Sequence, residues 1–288
     1  MIGASQQVAT ASRQAALPPA PRWEWAVTGA FVGGAICSGV FQWPLGSEWA
    51  WVALWFLADV VTGAVASALV VLHWAHDAAG KGSAPPPAWR LPYARPGCPS
   101  ERLVRVGQLL AQEWADAGQQ VLFGMLAIAA ALPLALALPD ARLGAVWLFA
   151  LLLIATIGLA VGSPAVPLIV GLRAFIAWLL GYAHIGSLTV SLVVIAGLVG
   201  GGLAAVYLVE QGRPCLARWS GRAAAWGLAV WSALAQQPFL VAWVAAAALY
   251  WEAAARLGRG PALYAWRLGW LTIMLLVAVA FRLGTAPA

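Results

Sequence analysis

The stretch WVALWFLADVVTGAVASALVVLHWAHDAAGKG, residues 51–82, decides what kind of fold this chain can have. Most of it belongs to an apolar run over 50–73, and about 20 apolar residues suffice to cross a hydrocarbon slab as a helix. One acid, Asp59, interrupts the run in WFLADVVTGAVAS. The end of the stretch, LHWAHDAAGKG, places His73, His76, Asp77 and Lys81 within nine positions. Two questions follow: what balances Asp59 in lipid, and whether the His/Asp/Lys end is a binding site or only the polar end of a helix.

The rest of the chain agrees with lipid as its solvent. Of 288 residues, 63% are hydrophobic and 9% charged, where a soluble domain carries about 25% charge. Such a chain cannot cover a globular surface with polar groups. Seven further apolar segments, roughly 24–44, 120–139, 143–162, 165–184, 188–209, 223–250 and 263–283, are long enough to span. The segment 223–250 carries Gln236-Gln237-Pro238 near its middle and reads as one kinked span or as two. The expected fold is therefore all-α: a polytopic bundle of eight or nine transmembrane helices over 23–284, behind a flexible N-terminus at 1–22. The N-terminus lacks a charged region leading directly into an apolar one, so a cleaved signal peptide is not expected. Eighteen tryptophans make the chain Trp-rich; many, such as Trp49, Trp51, Trp74 and Trp219, fall near segment ends, as interface indoles do. Cys37, Cys98 and Cys215 are too far apart to suggest a disulfide framework or a zinc knuckle.

Two connections are long, 74–119 and 210–222. The first has a Pro-rich centre and then ERLVRVGQLLAQEWADAGQQ, with Leu103, Val106, Leu110 and Trp114 at helical spacing and Ser100 as a candidate N-cap. With eight spans, eleven Lys/Arg lie on the side of the N-terminus, the two long loops and the C-terminus, against four on the other side. The positive-inside rule then places the protein in the cell membrane with both termini cytoplasmic. The net charge of +6 follows from this rule and from attraction to membrane lipids, so no nucleic-acid partner is expected.

Ionisable groups within spans are costly and face protein or a water-filled cavity. Asp59 and Arg173, the latter in LIVGLRAFIAWL, could pair across the bundle, line a pathway, or serve local polar clusters. His184 near a helix end reads as structural, and Gln236-Gln237 as partners for backbone groups freed at Pro238. The run GLVGGGLAA, 197–205, permits close helix packing.

The two long loops resemble those of the UbiA superfamily of intramembrane prenyltransferases. RPGCPSERL (95–103) is similar to the Arg-Pro stretch that follows the family's first Asp-rich motif, and LHWAHDAAGKG stands where that motif would stand. VYLVEQGRPCLARWSGRAAAW (206–226) looks like the second conserved loop, and GSPAVP (162–167) like an element before the fifth helix. The resemblance implies a UbiA-like bundle acting on an isoprenoid substrate, with prenyl transfer from a prenyl diphosphate to a lipid, quinone or pigment acceptor. It implies Asp77 and Glu210 as the catalytic, Mg²⁺-binding carboxylates. It implies His73, His76, Lys81, Arg95, Arg102, Arg213 and Arg218 as the groups around the diphosphate. The chain departs from the family at its centre, because each loop offers one carboxylate where paired acids hold magnesium. Three readings stay open: a prenyltransferase with a degenerate metal site; an inactive UbiA-like subunit that binds a lipid, quinone or pigment in a membrane complex; and a small transporter using Asp59 and Arg173.

Overall fold

The structure, a computed structural model, describes residues 25–38, 48–80, 99–138, 140–161, 165–183, 189–211 and 213–234, and residues 241, 244–245, 270, 272 and 274–279 of the C-terminal part. Lys81, Arg95, Cys98, His184 and the Gln236-Gln237-Pro238 step lie outside the described residues. Every regular element among the described residues is helical. In order they are α1 (Trp25–Ser38), α2 (Glu48–Trp55), a π-helical turn (Phe56–Val61), α3 (Thr62–Gly80), α4 (Pro99–Gln112), a second π turn (Trp114–Gly118), α5 (Gln119–Leu136), α6 (Ala141–Val161), α7 (Val166–Ala183), α8 (Val190–Glu210) and α9 (Pro214–Leu234).

Among the described residues, four helical stretches are long and apolar enough to cross a membrane: Trp49–Ala79, Gln119–Leu136, Ala141–Val161 and Val190–Val209. Val27–Ser38 and Val166–Tyr182 are shorter apolar helices. The chain is thus an all-helical, membrane-embedded protein. The apolar segments read between 24 and 209 coincide with described helices, and those at 223–250 and 263–283 lie partly outside the described residues; two differences from the sequence reading stand out. Residues 214–222, expected in a long connection, form the first turns of α9. Pro214 starts that helix, since a proline has no N–H to lose at a first helical position, and its arginines hide the helical pattern from a hydropathy reading. Likewise Pro99 rather than Ser100 begins α4.

Lipid supplies no hydrophobic drive between helices, so packing relies on close approach of small residues. Gly34 and Gly181 bring the α1 and α7 backbones together, and Gly171 of α7 meets Gly200 of α8 so closely that a Cβ there would lie 2.7 Å from the Gly200 carbonyl oxygen. The glycine run thus packs within the bundle, with Gly202 set under the Trp270 ring.

These contacts also fix helix directions. Phe31 stacks on Trp51 with centroids 4.9 Å apart, while Thr28 meets Trp55 and Asp59, so α1 runs against α2–α3. Gly33 and Gly34 lie at the level of Trp178, and five residues earlier in each helix Thr28 and Arg173 both meet Asp59, so α1 and α7 run together. Gly171 touches both Gly200 and Ala204, while Gly200 also meets Phe175, so α8 runs against α7. Hence α3 and α8 end at the same membrane face.

Candidate functional site

The centre of the bundle is polar. Asp59 lies in the π turn, and Arg173 is the eighth of the 18 residues of α7, about 11 Å from one end of that helix and 15 Å from the other. Both side chains are fully buried. Arg173 Nη2 donates to Asp59 Oδ1 at 3.0 Å and to the Asp59 carbonyl at 3.0 Å. Thr28 Oγ1 of α1 donates to the other carboxylate oxygen, and Trp55 Nε1 donates to Thr28 Oγ1 at 3.2 Å. Each charge has its counter-charge inside protein, which is how an ionisable group is tolerated at mid-membrane depth. Of the readings open in the sequence, the pair across the bundle is the one built.

The π turn explains how the pair forms. A π turn replaces part of the i→i−4 ladder, here with the Thr62 N–H meeting the Leu57 and Asp59 carbonyls, and its carbonyls can accept further bonds that in lipid only protein supplies. Three successive carbonyls accept from three helices. Trp147 Nε1 of α6 donates to the Leu57 carbonyl at 3.0 Å, Thr62 Oγ1 of α3 to the Ala58 carbonyl, and Arg173 of α7 to the Asp59 carbonyl. Gly63 makes room for the guanidinium, because a Cβ there would sit 2.6 Å from Arg173 Nη2. Sequence reading singled out Asp59 and Arg173 but not Thr28, Trp55, Trp147 or Gly63. Hydroxyls and indoles in apolar runs were the only signal, and one shared by many residues without such a role.

The second cluster lies at the membrane face where α3 and α8 end. α3 continues seven residues past His73 to Gly80, about two turns. His73 Nδ1 is 3.0 Å from the Leu159 carbonyl of α6. A carbonyl only accepts, so Nδ1 carries a hydrogen. Nε2 lies 3.6 Å from Asp77 Oδ2. The Asp77 side chain is half exposed, and His76 is exposed. Glu210 closes α8 at this face. The turn into α9 follows directly, with Arg213 N donating to the Leu208 carbonyl at 2.9 Å. Arg102 and Arg213 are exposed. Arg218 is exposed on α9, away from that helix's buried face.

On α4, Val104 is the buried residue and Leu103 is exposed. Of the residues read at helical spacing, Leu103 and Trp114 are exposed while Val106 and Leu110 are partly buried; Arg105 pairs with Glu101 at 2.8 Å, one turn away.

Magnesium fits the described residues poorly. Among them no group of three or more His, Cys, Asp or Glu side chains converges. Mg²⁺ demands octahedral oxygen ligands at about 2.1 Å, whose neighbouring donors stand about 3.0 Å apart. Asp77 instead faces an imidazole nitrogen at 3.6 Å.

No protein-family model, curated protein or solved structure matches the chain.

Proposed function

We propose that the chain is a membrane-embedded binding protein for an anionic isoprenoid lipid. In this reading the diphosphate end is taken at the face where α3 and α8 end, and the protein binds without transferring the prenyl group. The observation that carries the reading is the shared face. His73, His76 and Asp77 at the end of α3 and Arg213 at the α8–α9 turn lie on one side of the bundle, although Asp77 and Arg213 are 136 residues apart in the chain. A diphosphate is held there by the Arg213 guanidinium and the exposed His76 imidazole, the His73 Nδ1–H being taken by the Leu159 carbonyl. Ionisation of an allylic diphosphate needs metal-neutralised leaving-group charge, and among the described residues no group of three or more metal-ligating side chains converges to supply it. The test is incubation of the purified protein with a labelled prenyl diphosphate, Mg²⁺ and quinone precursors. Retention of the unreacted diphosphate is expected; release of pyrophosphate with a prenylated product would restore the transferase reading.

We also infer nine membrane crossings, with the termini on opposite sides. Two described helices support this. α9 runs against α8, since Ser220 Oγ donates to the Gly201 carbonyl while Gly227 meets Leu198. The helix through Trp270 and 274–279 runs the same way as α9. Trp270 Nε1 donates to the Val199 carbonyl in the middle of α8, and eight residues later the Ala278 carbonyl accepts from Cys37 Sγ, near the end of α1. Two helices with the same direction need a return between them, and Val244 of the intervening chain is in the core. Charge counting favours the same topology. Arg256, Arg259 and Arg267 join the N-terminal side and Arg282 leaves it, so the split becomes thirteen against two, a stronger positive-inside bias than eight spans give.

A further inference from the structure

We propose that the outer face of α9 binds the phosphate of an anionic phospholipid from the surrounding leaflet, through Arg218 and Arg222. α9 buries Ala217, Ala224 and Leu228 against the bundle, and Ser220 Oγ ties it to the Gly201 carbonyl of α8. The opposite side carries Trp219 and Trp226, 67% and 57% exposed, with Arg218 and Arg222 exposed beside them. The arginines are one helical turn apart, near enough for both guanidinium groups to meet one phosphate.

Depth identifies the occupant. The apolar stretch Val190–Val209 ends at the turn closed by Arg213 N and the Leu208 carbonyl, and from Arg213 the two arginines lie about 7 and 13 Å along the helix axis. An arginine at that depth on a lipid-accessible face snorkels toward the surface, and the anion it meets there is a lipid phosphate. The indoles of Trp219 and Trp226 lie along the same face, where an acyl chain would run. This surface is separate from the prenyl-diphosphate reading, which rests on the end of α3 and the α8–α9 turn.

The test uses the full-length protein in nanodiscs of phosphatidylglycerol and phosphatidylcholine, released into a mass spectrometer that counts retained lipids. The wild type is expected to retain phosphatidylglycerol selectively, and to lose that selectivity at high salt. The R218Q/R222Q variant should retain on the order of 10-fold less, while R218K/R222K, which keeps both charges, and R102Q should stay close to wild type. Undiminished selectivity in R218Q/R222Q would overturn the proposal, as would an equal loss in R102Q. Displacement of the phosphatidylglycerol by a prenyl diphosphate would also overturn it and assign the arginines to the isoprenoid ligand.

Discussion

At the residue scale, the most consequential pair is Asp59 and Arg173. Both are fully buried and joined at 3.0 Å, so removing one strands the other as an unbalanced charge. Asp59→Asn is expected to destabilise the protein by about 3–5 kcal/mol, read as a lowered thermal unfolding midpoint in detergent. The double replacement Asp59→Leu with Arg173→Leu should recover much of that loss, because a buried ion pair exchanged for apolar groups is often nearly neutral. A transport pathway through these residues would give the opposite pattern, with Asp59→Asn abolishing flux in an intact fold. Gly63→Ala tests the same pair from the other side. The added methyl would occupy the space of Arg173 Nη2, and displacing that nitrogen breaks its bonds to both the carboxylate and the carbonyl of Asp59. It should therefore lower the unfolding midpoint in the same direction as Asp59→Asn.

At the element scale, the π turn and the helix ends separate what was legible in the sequence from what was not. The apolar segments were legible because a span must exclude polar residues for some 20 positions, and Asp59 and Arg173 stood out because their charge is costly there. The π turn was not legible. Its existence depends on Trp147 from α6 and Arg173 from α7 reaching its carbonyls, and no local pattern records partners about 90 and 114 residues away. The same holds for His73, whose partner is a backbone carbonyl on α6. The membrane-face residues His73, His76 and Asp77 were legible as a polar end, but not as an imidazole fixed between Leu159 and Asp77. Trp147→Phe removes one of the three side-chain donors to the turn while keeping an aromatic ring. A loss of about 1 kcal/mol is expected, with faster amide exchange confined to residues around 57–62; no change in exchange would show that the turn does not need this bond.

At the scale of the whole molecule, direction and chemistry meet at one face. The packing of α1 with α7, and of α7 against α8, sends α3 and α8 to a common end, so the helix ends carrying His73, His76 and Asp77 and the α8–α9 turn with Arg213 lie on one side of the bundle. The proposed nine crossings would put the C-terminus across the membrane from the N-terminus. A membrane-impermeant thiol reagent applied to intact cells should label a cysteine introduced at the C-terminus and not one introduced near the N-terminus, in variants lacking the native cysteines. Equal protection of both would return the count to eight.

The function turns on whether Asp77 serves a metal or merely neighbours an anion. The most direct measurement is titration of a prenyl diphosphate into wild type and Asp77→Asn, each with EDTA and with Mg²⁺. A metal-free binder should hold the ligand in EDTA, and Asp77→Asn should hold it equally well or more tightly, since one negative charge beside the diphosphate has gone. Binding that requires Mg²⁺ and is lost in Asp77→Asn would contradict this account.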